Sequence, residues 1–145
     1  SVCSGAVILA ASDLLLDKPA TTHWAAMDVI GKLGAKPEPT KRIVRAGKVR
    51  TAAGVSAGID LAFALLEELA SRETAERIQL MIEYDPQPPQ NSGHMDKATP
   101  AVARAARAEM TRLAKNPMNG VAVAKVGWRK ALMRARRAVQ RMSAA

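Results

Sequence analysis

Cysteine and aromatic residues are scarce in this 145-residue sequence, and long hydrophobic runs are missing. One cysteine cannot form an intrachain disulfide, so the default setting is a reducing, cytoplasmic one. No apolar run approaches the roughly 18 residues that a membrane span needs, and no basic segment precedes an apolar one at the N-terminus. We therefore expect no membrane span, no signal peptide and no membrane partner. With aromatics at 3% of residues, the core must be aliphatic.

Metal-binding and nucleotide-binding signatures are also missing. Two histidines, His23 and His94, and the single Cys3 show no ligand spacing, so no metal site is expected. The sequence has no Gly-x-Gly-x-x-Gly motif and no Gly-rich loop that ends in Lys, so no cofactor is expected.

The net charge of +9 is unevenly distributed along the chain. Residues 1–96 contain ten Lys and Arg against twelve Asp and Glu, whereas residues 97–145 contain twelve Lys and Arg and one acid, Glu109. Any argument about an anionic partner therefore concerns the last third of the chain. We divide the sequence accordingly into a body, 1–96, and a basic helical extension, 97–145.

The body alternates helical and strand patterns through residue 84. We predict helices at 4–16, 25–33, 59–70 and 74–84 (the last capped by Thr74), a strand or strand end at 20–24, a loop at 36–40, and a hairpin over 42–54 that turns at Ala46-Gly47. Gly54 and Gly58 mark a tight strand-to-helix junction, and Asp60 is a candidate anchor for the helix start. This alternation favours an α/β layered domain. Because no strand precedes Cys3, the pattern is typical of the second half of such a domain.

The extension is predicted to be helical after a Pro-rich, helix-free segment at 85–96. Helices are expected over 99–117 and 121–142, the first ending at Asn116-Pro117. A cationic amphipathic helix can bind nucleic acid, an anionic membrane or an acidic partner, but it can equally be a solvated helix on the body. The second helix begins with Val-Ala-Val-Ala where a DNA-reading helix needs polar residues, so nucleic acid is not the expected partner.

The only cysteine stands in the stretch SVCSGAVILAAS, where small residues flank it and an apolar helix follows at once. This pattern is typical of a nucleophile elbow, a sharp strand-to-helix turn that exposes the central side chain. The start of a helix favours the reactive thiolate, and the Ser4 N–H can stabilise a developing negative charge. Free cysteine is also among the most buried residue types, so a structural role for Cys3 stays open from spacing alone.

Longer stretches resemble a known family. SVCSGAVILAASDLLLDKPATTHW resembles the elbow region of the ThiJ/PfpI superfamily, which has the class I glutamine amidotransferase-like fold. The ATTHW, AGID, AERIQL and YDPQPP stretches are similar to its isonitrile hydratase branch. The resemblance covers about residues 1–96. It implies an α/β, flavodoxin-like three-layer sandwich, of which this chain holds the C-terminal portion with extra C-terminal helices, and a homodimer.

The resemblance also implies a chemistry. Isonitrile hydratases add water to an isonitrile and give an N-substituted formamide through a cysteine thioimidate. Cys3 matches the family's nucleophile, and Ser4 matches a following hydroxyl residue that helps to position the reacting groups. Gly5, His23 and Trp24 are the expected pocket residues, and the ligand is a small molecule without a cofactor.

One departure from the family weakens the expectation of activity. The family's general acid/base carboxylate and a second oxyanion-hole donor precede the cysteine, and no Asp or Glu here matches that carboxylate. We therefore expect a fragment that is inactive or weak alone, or one completed by a companion N-terminal half. The alternatives are a regulatory or ligand-sensing fragment whose basic helices bind DNA or a partner, and the superfamily's deglycase, peptidase or chaperone activities.

Overall fold

The structure, a computed structural model, describes residues 1–115, 124–133 and 135. Two compact units divide the chain, Ser1–Ala103 and Arg104–Ala145. The elements in chain order are α1 (Gly5–Ala11), β1 (Pro19–Ala20), a 3-10 turn (Trp24–Ala26), α2 (Met27–Lys32), β2 (Lys36–Pro37), β3 (Ile43–Ala46), β4 (Val49–Ala52), α3 (Val55–Leu69), α4 (Arg72–Met81) and α5 (Pro100–Ala114). The mixed α/β class expected from the sequence is confirmed.

The chain start lies alongside β4. Val2 forms an isolated parallel bridge with Ala52. The Ala52 N–H donates to the Ser1 carbonyl at 2.9 Å, and the Cys3 N–H donates to the Ala52 carbonyl at 3.1 Å. These bonds satisfy backbone groups that would otherwise be left unpaired beside the buried Ala52. They fix the two residues that lead into Cys3 against the hairpin.

The hairpin over 42–54 is confirmed. β3 and β4 pair antiparallel, with Ala46 opposite Val49 at the closed end. Gly47 has φ +63°, a left-handed conformation that glycine adopts without a Cβ penalty. The turn consists of Gly47 and Lys48, so the prediction was right for Gly47, whereas Ala46 is the last residue of β3.

Three predictions between α1 and the hairpin were wrong in whole or in part. Of the strand or strand end expected at 20–24, only Ala20 lies in a strand, and a 3-10 turn begins at Trp24. The helix expected over 4–16 ends at Ala11, because Asp13 and Asp17 have φ values of 61° and 57° that an α-helix excludes. The loop expected at 36–40 begins with β2, which pairs parallel with β1. β2 stayed undetected because a two-residue strand that contains Pro37 carries almost no pattern.

α3 connects the hairpin to the chain start. The core at this point consists of Ala52, Ala57 and Leu61. Gly58 lies against Val2 so closely that a Cβ built on Gly58 would stand 2.6 Å from Val2 Cγ1. The expected close packing at Gly58 is therefore present, and its partner is the residue that precedes Cys3.

The remaining helices agree with the sequence except at their ends. α4 begins at Arg72, and its N-cap is Ser71, whose hydroxyl accepts from the Thr74 N–H at 3.1 Å; the prediction of Thr74 as the cap was wrong. α5 ends at Ala114, and the expected stop at Asn116-Pro117 lies outside the described residues. Of the helix expected over 121–142, residues 124–133 are helical and most of the rest lies outside the description. No described helix is both long and apolar enough to cross a bilayer.

Candidate active site at the Cys3 turn

Cys3 occupies a turn between the Val2 bridge and α1. Its φ is +55°, a left-handed conformation that is uncommon for residues other than glycine. Ser4 is the N-cap of α1, and the helix begins at Gly5. Cys3 is half-buried and Ser4 is exposed. Strained backbone held by surrounding hydrogen bonds is a feature of functional turns, including nucleophile elbows.

A buried threonine holds the carbonyl side of this turn. The Thr22 hydroxyl donates to the Cys3 carbonyl at 2.7 Å, and Thr22 is 1% exposed. The neighbouring Thr21 N–H donates to the Thr51 hydroxyl at 2.9 Å, which ties the end of β1 to β4. Cys3 is therefore fixed through its N–H by β4 and through its carbonyl by Thr22. Thr22 was not predicted as a site residue, and the two hydroxyl residues ahead of His23 were its only signal in the sequence.

His23 and Trp24 follow directly on Thr22. The His23 Nδ1 accepts from the Ala25 N–H at 3.3 Å and caps the 3-10 turn. Because Nδ1 accepts, the proton of the neutral ring belongs on Nε2, which can then donate. The two rings stand 5.1 Å apart, and both residues are half-buried. The fold thus places both pocket candidates one and two residues after the threonine that contacts Cys3.

A second polar network, whose pairings were not predicted from the sequence, fixes α3. The Asp60 carboxylate accepts from Arg42 Nε at 2.8 Å and from the Tyr84 hydroxyl at 2.7 Å. Partial burial raises the pKa of Asp60. The hydrogen bonds from Tyr84 and Arg42 and the charge of Arg42 together lower it by more than burial raises it, so the pKa lies below its ordinary value. Tyr84 also stacks on Phe63 at 5.4 Å. The network joins Arg42, just before β3, to α3 and to Tyr84, just after α4. Asp60 is the sixth residue of α3, so the prediction that it anchors the helix start was wrong.

Among the described residues, no group of three or more His, Cys, Asp and Glu side chains could hold a metal ion. The Cys3 turn itself presents a thiol beside the Ser4 hydroxyl and the backbone N–H groups at the start of α1. Those are the components of nucleophilic addition to an electrophilic carbon.

Comparison with known proteins gives consistent matches. Residues 1–68 match the DJ-1/PfpI family. An isonitrile hydratase from Pseudomonas putida is 48% identical over 107 residues, which are 74% of this chain and 46% of that protein. The crystal structure of a ThiJ/PfpI family protein from Pseudomonas syringae matches with a TM-score of 0.75 and 38% identity, over 88% of this chain and 50% of that one.

The chain therefore spans about half the length of the relatives that it matches. The structural match confirms the expected flavodoxin-like α/β fold, in partial form. The family match includes Cys3, the candidate pocket residues and the first four turns of α3.

Proposed function

We propose that the chain contributes an isonitrile hydratase-type site with Cys3 as its nucleophile, and the match of residues 1–68 to the DJ-1/PfpI family supports this. The observation that carries the proposal is the left-handed backbone of Cys3 at the start of α1. The 48% identity to an isonitrile hydratase indicates which chemistry of the family applies.

The proposed reaction follows from the reactivity of the terminal carbon of the isonitrile. The Cys3 sulfur donates an electron pair to the terminal carbon, a carbon–sulfur bond forms, and that carbon takes up a proton to give a thioimidate, S–CH=N–R. Water then adds to the same carbon and a proton reaches nitrogen. The carbon–sulfur bond breaks, which restores the thiol and releases the formamide, R–NH–CHO. One isonitrile and one water are consumed for each formamide.

Each neighbouring residue has a proposed role in these steps. The exposed Ser4 hydroxyl orients the attacking water or the isonitrile nitrogen, and Gly5 is a pocket residue at the start of α1. His23 and Trp24 form the pocket wall. Thr22 is a positioning residue, because its bond to the Cys3 carbonyl maintains the turn without touching substrate.

No residue of this sequence is assigned to the acid/base step. The resemblance places that carboxylate near the start of the family's domain, and this chain spans about half the length of the relatives that it matches. We propose that a segment equivalent to the relatives' N-terminal half supplies it, next to the bridge between Val2 and Ala52.

The test is formamide production from a small alkyl isonitrile by the full chain, with and without the N-terminal half of the Pseudomonas putida relative. We expect turnover to rise when that half is added and to disappear with Cys3→Ser. Ser4→Ala should slow turnover, whereas Ser12→Ala, an exposed serine at the other end of α1, should not. Turnover that persists with Cys3→Ser would refute the assignment.

A further inference from the structure

The second compact unit, Arg104–Ala145, has a surface that the proposed hydratase chemistry does not use. Residues 97–145 contain twelve basic residues, and their only acid, Glu109, pairs with Arg112 on α5. The charge of that acid is therefore matched within its own helix. The unit is strongly cationic, and an anionic partner is complementary to it.

The described helix at 124–133 exposes large apolar side chains on one side and buries a lysine on the other. Its less exposed residues are Val126 and Lys130, which are one turn apart on one side. At 100° per residue, Trp128 lies on the opposite side and Leu132 follows it by one turn. Trp128 is 68% exposed, and Leu132 is 45% exposed. Trp128 and Leu132 therefore lie on the exposed side of this helix.

Cations line one side of this apolar surface. Lys125 and Arg129 are exposed and lie next to Leu132 on the helical wheel. We call the set Lys125, Trp128, Arg129 and Leu132 the outer face. Exposed Trp and Leu beside Lys and Arg are the composition of helices that lie in the membrane interface.

We propose that the outer face docks on an anionic phospholipid bilayer, with the helix parallel to the surface and Trp128 at headgroup depth. Lipid phosphates attract the cations, and the interface removes apolar surface from water. Duplex DNA would use the cations but would gain little from Trp128 and Leu132, because base edges are read mainly by polar side chains. The sequence predicted no membrane partner, since the exposure of these side chains becomes visible only in the structure.

The test is co-sedimentation of the full chain with phosphatidylcholine vesicles that do or do not contain phosphatidylglycerol. Binding should require phosphatidylglycerol and weaken with added salt. Lys125→Gln and Arg129→Gln should each weaken binding by about fivefold, the effect of removing one cation near the surface. Trp128→Ala and Leu132→Ser should each weaken it by a similar factor or more.

Matched controls come from α4 in the first unit. Leu80 is 81% exposed and Arg77 is exposed, so Leu80→Ser and Arg77→Gln change the same residue types outside the outer face. Both should bind vesicles as the unaltered chain does. Three outcomes would overturn the proposal: no binding at low salt, binding that Trp128→Ala and Leu132→Ser leave unchanged, or displacement from vesicles by an equal concentration of duplex DNA.

Discussion

The packing of Gly58 against Val2 decides whether Gly58→Ala raises or lowers the free energy of unfolding. A Cβ on Gly58 would stand 2.6 Å and 3.0 Å from the two Val2 methyl carbons, well inside the 3.5–4.0 Å of a favourable carbon contact. Valine has a stiff χ1, so its methyls cannot turn away without moving the backbone that leads into Cys3. Gly58→Ala should therefore strain the Cys3 turn.

Two opposing effects set the magnitude. Overpacking costs about 1–3 kcal/mol, and replacing glycine by alanine inside α3 recovers about 1 kcal/mol of helix propensity. We expect Gly58→Ala to lower the free energy of unfolding by about 1 kcal/mol. In a Val2→Ala background only the Val2 Cβ remains, at 3.4 Å. There the same Gly58→Ala change should raise the free energy of unfolding.

The assay is urea unfolding of the single and double variants in a double-mutant cycle, followed by circular dichroism. Ala62→Gly, at an exposed position of α3, calibrates the propensity contribution in the same helix. The coupling between positions 2 and 58 should be about 1–3 kcal/mol. If Gly58→Ala stabilises the unaltered chain by the amount that Ala62→Gly costs, Val2 does not pack on Gly58 and the reasoning is refuted.

Three further predictions concern single side chains. Thr22→Val should lower the free energy of unfolding by about 1–3 kcal/mol and slow isonitrile addition, because the Cys3 carbonyl loses its buried donor. Thr22→Ser keeps the hydroxyl and should restore both the stability and the rate. A Thr22→Ser variant as slow as Thr22→Val would contradict the role of the hydrogen bond. The pKa of Asp60 in the folded chain lies below its ordinary value of 3.8. The ionised carboxylate therefore stabilises the fold at pH values above 3.8, and this stabilisation is lost as the pH falls through the folded-state pKa. Asp60→Asn should remove this pH dependence and flatten the acid side of the stability profile measured by urea unfolding. Ser71→Ala should cost about 1 kcal/mol by thermal unfolding, whereas an equal loss from Thr74→Ala alone would contradict Ser71 as the cap of α4.

The elements that the sequence predicted correctly are those with local signals. The hairpin has a turn glycine between alternating strands, and α3 has leucines at helical spacing. The small residues around Cys3 predicted its turn, and its positive φ agrees with that prediction. Each of these signals lies within a few residues of the feature that it specifies.

The features that the sequence missed depend on distant partners. Thr22 contacts Cys3 across 19 residues, and Tyr84 contacts Asp60 across 24. β2 exists because its backbone pairs with β1, and its side chains give no period-two pattern. One sequence without aligned relatives holds no information on such pairings. The contacts that Thr22 and Tyr84 make with distant residues were therefore visible only in the structure.

Attack of Cys3 on an isonitrile is the central claim, and the intact mass of the protein tests it most directly. The chain has one cysteine, so an adduct on sulfur reports on Cys3 alone. Incubation with a small alkyl isonitrile should add the full mass of that isonitrile to the folded chain, and add nothing in urea or with Cys3→Ser. A folded chain that stays unmodified, while iodoacetamide labels the same cysteine in urea, would contradict the account.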